Sequence, residues 1–159
     1  MRGRVPLFGA ACRLVQAVRD GDRAICNDKD PLLQPLVVEL HHFCGRSKDV
    51  LDAARARGER SAAERASRYY VAEAHYRLGN LQEAERLFRA VEDDPVLRSS
   101  HPVATLFALE RLSAIADKRG RAKDARGGDE LLVRLWGNID IPLPELERAR
   151  RRLSVPVSR

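Results

Sequence analysis

The sequence predicts an all-α protein built as a stack of antiparallel helix pairs, and three observations carry that prediction. Apolar residues recur at helical spacing along nearly the whole chain, as in Leu36, Leu40 and Phe43 or Leu106, Leu109, Leu112 and Ile115, and no window alternates as a half-buried strand would. Aromatic residues are only 5% of the chain, while much of its 44% apolar content is Ala and Leu, the strongest intrinsic helix formers. Gly45 and Gly79 lie 34 residues apart, and their surroundings align, "VVELHHFCGRSKDVLDAA" over "VAEAHYRLGNLQEAERLF".

The elements follow in order. A first helix is expected over residues 7–20, where Leu7, Ala11, Leu14 and Val18 share a face. Breaks follow at "RDGD", "NDKDP", "CGRS", "RGERS", "LGN", "DDP", "RGR", "GG" and "NIDIPLP", where Gly, Pro, Asn and Asp serve as turn and cap residues, and each segment between them is one helix long. Under the 34-residue shift Val37 meets Val71, His41 meets His75, Cys44 meets Leu78, Val50 meets Ala84 and Ala54 meets Phe88. A third copy, "LSAIADKRGRAKDARGGD", follows 41 residues after Gly79, and "DDPVLRSSHP" accommodates the extra length. Antiparallel helices approach closely where a small side chain meets a bulky one, so Ala72 and Ala84 are expected at close contacts while Tyr76, Leu78, Leu87 and Phe88 fill space. In the third copy Gly127 and Gly128 fall inside the second helix, and Asp129 stands where Phe88 stood. Each glycine costs roughly 1 kcal/mol against Ala, which predicts a frayed or kinked helix. A closing helix is expected from Leu143 to Leu153.

Charge and cysteine content exclude several function classes. The net charge is +6, and most of the excess lies in residues 1–30 and 145–159, whereas a dedicated nucleic-acid-binding domain concentrates its cations on one face. No apolar run approaches the roughly 18 residues that span a bilayer, and in "MRGRVPLFGAAC" the apolar run from Val5 to Ala11 is at the bottom of the range for an export signal and no Leu stands three residues before Cys12, so a soluble cytoplasmic protein is expected. Cys12, Cys26 and Cys44 are an odd number at unrelated spacings, which implies no disulfide framework and a reducing compartment.

The middle copy resembles a tetratricopeptide repeat. Ala84 and Phe88 resemble the family's small-then-aromatic signature, Gly79 and Asn80 its turn, and Pro95 its terminal proline, one residue early; on the first helix Arg68, Val71, Ala72 and His75 keep only the small position well. The resemblance covers about residues 31–136 in roughly three degenerate repeats, and it implies a right-handed superhelical stack. Residues 1–30 would be a cap or truncated repeat, 31–153 the repeat domain and 154–159 a tail. "LLVRLWGNIDIPLPELERARRRL" resembles the closing repeat of such regions in larger bacterial proteins, through Leu132, Trp136, Asp140, Pro144, Leu146, Ala149 and Leu153.

Catalytic chemistry finds no footing. His41 and Cys44 in "HHFCG" lie three apart on a helix, but no second pair at ligand spacing accompanies them, so a structural histidine and a small buried thiol are expected and no metal or cofactor. No Gly-x-Ser-x-Gly elbow and no phosphate loop occurs, Asp93 and Asp94 read as a solvated helix exit, His101 as a cap or loop residue, and "RARRRL" as a solvated face. The resemblance implies an inner groove lined by successive first helices: Glu39, His42 and Phe43 beside Glu73, Tyr76 and Arg77, with Tyr69 near the entrance, continued by Ala114, Asp117 and Lys118. Mixed charge with aromatic anchors suits a peptide or helix. The expected function is therefore non-catalytic protein binding, as a scaffold or as a module of a larger bacterial protein. The alternatives are a basic nucleic-acid-associated protein using its Arg-rich termini, and self-association through the end repeats.

Overall fold

A computed structural model describes residues 5–27, 36–57, 62–139 and 142–154, with side chains placed for 13–27, 36–56, 67–139 and 142–154. The expected breaks at 28–31 and 58–61, Asp140, the tail at 155–159 and the side chain of Cys12 lie outside these residues. Among the described residues every regular element is helical: α1 (Val5–Asp20), a 3-10 turn (Ala24–Asn27), α2 (Val37–Phe43), α3 (Ser47–Arg57), α4 (Ala62–Arg77), α5 (Leu81–Glu92), α6 (Pro95–Ser100), α7 (Pro102–Lys118), α8 (Ala122–Trp136) and α9 (Pro144–Ser154). The chain divides into two compact units, Met1–Gly79 and Asn80–Arg159, and the division falls inside the best-matching repeat copy.

Gly45 and Gly79 occupy matching bends, as the period requires. Both take positive φ, 71° and 81°, a conformation that costs a side-chain-bearing residue roughly 1 kcal/mol or more, and Gly120 in the third copy follows at 70°. Each glycine closes the helix before it by donating its amide three residues back, Gly45 to His42 O at 3.0 Å, Gly79 to Tyr76 O at 3.1 Å and Gly120 to Asp117 O at 2.9 Å.

In the first unit α2, α3 and α4 pack together. Val38, Val50 and Ala74 form its core, flanked by Val37, Leu51, Ala53, Ala54, Tyr70 and Val71. A separate cluster joins α1 and the 3-10 turn to α2 through Leu14, Ala17, Ile25 and Leu40. There Cys26 and Cys44 form a disulfide, their Cα atoms 5.7 Å apart. The expectation of no disulfide framework, with Cys44 a small buried thiol, is thereby corrected: sequence separation carries no information about the packing of α1 and the 3-10 turn on α2, which brings two unrelated positions within bonding reach.

In the second unit α7 is the central helix and packs on α5, α6, α8 and α9. Leu106, Leu109, Leu132, Leu146 and Ala149 form its core. On α5 the buried stripe is Ala84, Phe88 and Val91, and on α8 it is Ala125, Asp129 and Leu132, the same spacing one copy later. The predicted fraying is corrected, because α8 runs unbroken through both glycines. Gly128 faces Ser113 of α7 so closely that a Cβ would collide with Ser113 Oγ, and the missing side chain is what allows the two helices to touch there. The insertion "DDPVLRSSHP" is itself helical. Asp94 is the N-cap of α6, its Oδ1 accepting from Val96 N at 2.9 Å and Leu97 N at 3.3 Å, so it caps a helix and is no mere solvated charge. Leu78, expected in the core, is 39% exposed because the turn begins there.

Candidate functional site

The residues expected to line one groove are divided between the two units. In the first, α2 supplies Glu39, His42 and Phe43, and α4 supplies Tyr69, Glu73, Tyr76 and Arg77. Glu39 and His42, three apart, share one face of α2. The His42 ring lies 6.3 Å from Tyr69, edge-on, and 4.8 Å from Tyr70, and the two tyrosines meet edge-on at 5.5 Å. All three rings are half-buried. Tyr70 is not in the expected set: consecutive helical residues point about 100° apart, and only the packing of α4 on α2 brings both tyrosines of the pair to His42. Its phenol is pushed above the ordinary tyrosine range, first by burial and then by the negative charge of Glu39. Glu39 Oε2 is itself buried and has no hydrogen-bond partner among the described residues.

The other expected residues do different work. Phe43 packs on the Leu14–Ala17–Ile25–Leu40 cluster, with the Arg23 guanidinium 4.4 Å above its ring and donating to its carbonyl. Glu73 is buried and accepts from Arg77 Nε at 3.1 Å, one turn on. Tyr76 is half-buried. In the second unit Ala114 is half-buried, while Asp117 and Lys118 are exposed in the last turn of α7. Among the described residues His41 Nδ1 is buried without a partner and no group of three metal-ligating side chains occurs, and Cys44 is committed to the disulfide. An open cleft of about 440 Å³ between α1 and the 3-10 turn, lined by Arg13, Gln16, Asp20 and Asp22 among others, brings together no convergent chemical group.

Sequence reasoning missed a buried ionic cluster in the second unit. Glu110 and Asp129 are each 1% exposed. Arg152 forks onto Asp129, Nη2 to Oδ1 at 2.7 Å and Nε to Oδ2 at 2.8 Å, and its Nη1 reaches Glu110 at 3.3 Å. Arg148 Nε donates to the same Glu110 oxygen at 3.1 Å and its Nη2 to Glu145 at 2.9 Å, while Arg111 takes the second Glu110 oxygen at 2.9 Å. Both α9 guanidiniums are held more firmly protonated than usual, Arg148 chiefly by its hydrogen bond to Glu110 and Arg152 by its bonds to Asp129. Two of the four arginines in "RARRRL" therefore point inward, which corrects the reading of that run as a solvated face. Arg148 and Arg152, one turn apart, were legible as a shared face. Their acids lie 38 and 23 residues away and were not.

A second ionic group centres on Glu85 of α5. Glu85 accepts from Arg89 at 3.0 Å, and from Arg119 and Arg121 at 2.8 Å each, so α5 is tied to the turn between α7 and α8. Partial burial pushes its carboxyl up, but the three guanidiniums outweigh that and hold it below the ordinary value. Arg119 stands 34 residues after Glu85, beside the Gly120 bend of the third copy. No protein-family model, no curated protein and no solved structure matches the chain, and what can be said of its function rests on these residues.

Proposed function

We propose that the protein is a non-catalytic interaction module, a stack of tetratricopeptide-like helix pairs within a larger assembly, and that the α2–α4 face of its first unit holds a peptide. The observation that carries this reading is the trio His42, Tyr69 and Tyr70, half-buried rings from two helices beside a Glu39 oxygen without a donor among the described residues. A buried carboxylate oxygen lacking a donor costs on the order of 1–3 kcal/mol, and a lysine or arginine side chain of a bound peptide relieves that cost while resting against the aromatic faces. Aromatic residues in partly desolvated surroundings are also the usual anchors of protein interfaces. The matched glycine bends at 45, 79 and 120 support the repeat as the unit of construction. The alternative, nucleic-acid binding through the Arg-rich termini, draws less support, because Arg148 and Arg152 are committed to Glu110 and Asp129.

A peptide array probed with the purified protein tests the reading. Peptides carrying Lys or Arg next to apolar residues are expected to be retained, and Tyr69→Ala with Tyr76→Ala, or Glu39→Gln alone, weakens retention by about tenfold with helicity unchanged, the loss of one anchor. Retention indifferent to these substitutions would remove the α2–α4 face from consideration.

A further inference from the structure

We propose that the Cys26–Cys44 disulfide is a redox-controlled staple, opened by a dithiol reductant, whose opening frees α1 and the 3-10 turn from α2. The attachment of α1 is narrow. It buries Leu14 and Ala17 of α1, Ile25 of the 3-10 turn and Leu40 of α2 in a cluster separate from the Val38–Val50–Ala74 core. On the other side of α1, Val15 and Val18 are 67% and 50% exposed, so among the described residues this helix is held from one side. The polar ties across the same contact are the Arg23 guanidinium on Phe43 and the Arg46 Nη2 bond to Asn27 Oδ1 at 3.1 Å. Exposed contacts of this kind contribute little alone. The covalent bridge between positions 18 apart adds to these contacts a constraint of another kind, since it removes loop-closure entropy from the unfolded chain.

The bridge is also placed to react. Cys26 and Cys44 are half-buried, within reach of a small thiol or a protein dithiol. Arg23 rests on Phe43, the neighbour of Cys44, and Arg46 bonds Asn27, the neighbour of Cys26, so both cations lie in the segments that carry the bridge. In the reaction a thiolate of the reductant attacks one sulfur, the Sγ–Sγ bond breaks and the other cysteine leaves as thiolate. The reductant's second thiolate then attacks its own bridged sulfur, so the dithiol becomes a disulfide and gives up two electrons, and its two protons end on Cys26 and Cys44. Opening brings the cluster of Leu14, Ala17, Ile25 and Leu40 into contact with water.

The intact chain, equilibrated in buffers of reduced and oxidised dithiothreitol from oxidising to reducing, is alkylated and analysed peptide by peptide, with amide hydrogen exchange followed in parallel. The expected result is that Cys26 and Cys44 become alkylated together within that range, and that exchange over residues 13–25 accelerates by about tenfold or more while residues 105–116 are unaffected. The Cys26→Ser, Cys44→Ser variant is expected to exchange at the fast rate in every buffer. Alkylation of both cysteines under oxidising conditions would mean that no bridge forms. Protection of both in every buffer would mean a permanent staple, and opening without faster exchange would mean that the arm stays docked; any of the three overturns the proposal.

Discussion

Two adjacent glycines in α8 are asked to do opposite things. Gly127 faces open space, whereas a Cβ on Gly128 would strike Ser113 Oγ. Gly127→Ala is therefore expected to stabilise the protein by about 0.5–1 kcal/mol, the helix-propensity gain, and Gly128→Ala to destabilise it by about 1–3 kcal/mol through overpacking. Urea denaturation of the two variants measures both, and two shifts of the same sign would show that Ser113 yields. The sequence exposed the glycine pair but not the difference between its members, because that depends on which helix lies opposite. Asp129 is a similar case. It stands at the position of Phe88 and looks like a defect in the repeat, yet Arg152, 23 residues on, makes it a paired ion in the core. Arg152→Ala leaves two buried carboxylates short of a partner and is expected to cost roughly 3 kcal/mol in the same assay.

Among the elements, those with a long apolar stripe were legible and those defined by other means were not. The Ala84–Phe88–Val91 stripe of α5 and the glycine bends were plain in the sequence, since period and turn chemistry are local properties. Helix α6 was read as slack, because six residues are too few to show a period and its signal is a single cap, Asp94 before Pro95. The tie between α5 and the α7–α8 turn makes a pH prediction. Glu85 is held below its ordinary value of 4.5, so it stabilises the fold above that pH, and the contribution is lost as pH falls through its lower folded value. Glu92 runs the other way: burial and then the charge of Asp93 raise its carboxyl, so its ionisation costs stability as pH rises past 4.5. Glu85→Gln is expected to flatten the loss of stability on acidification below pH 4.5, and Glu92→Gln to raise stability near neutrality with little effect at low pH. Thermal unfolding from pH 3 to 7 distinguishes the two, and parallel shifts at every pH would contradict both assignments.

At the scale of the molecule, the sequence yielded the helical class and the repeating bends, while the division into two units and the disulfide arise from packing between distant segments. The bridge belongs to the first unit, so its removal is expected to lower that unit's stability by about 3 kcal/mol and leave the second unchanged. Unfolding followed by exchange in each half, with and without reductant, reads this directly. Equal loss in both halves would mean that the units do not unfold separately. The arginines of α9 have a consequence for biosynthesis. The carboxylates they neutralise, Glu110 and Asp129, leave the ribosome well before Arg148 and Arg152 do, so a nascent chain would have to sequester two uncompensated anions in order to close α7 on α8 early. The second unit should therefore wait, acquiring protease resistance only once α9 has been made, however long its other helices have been in solution.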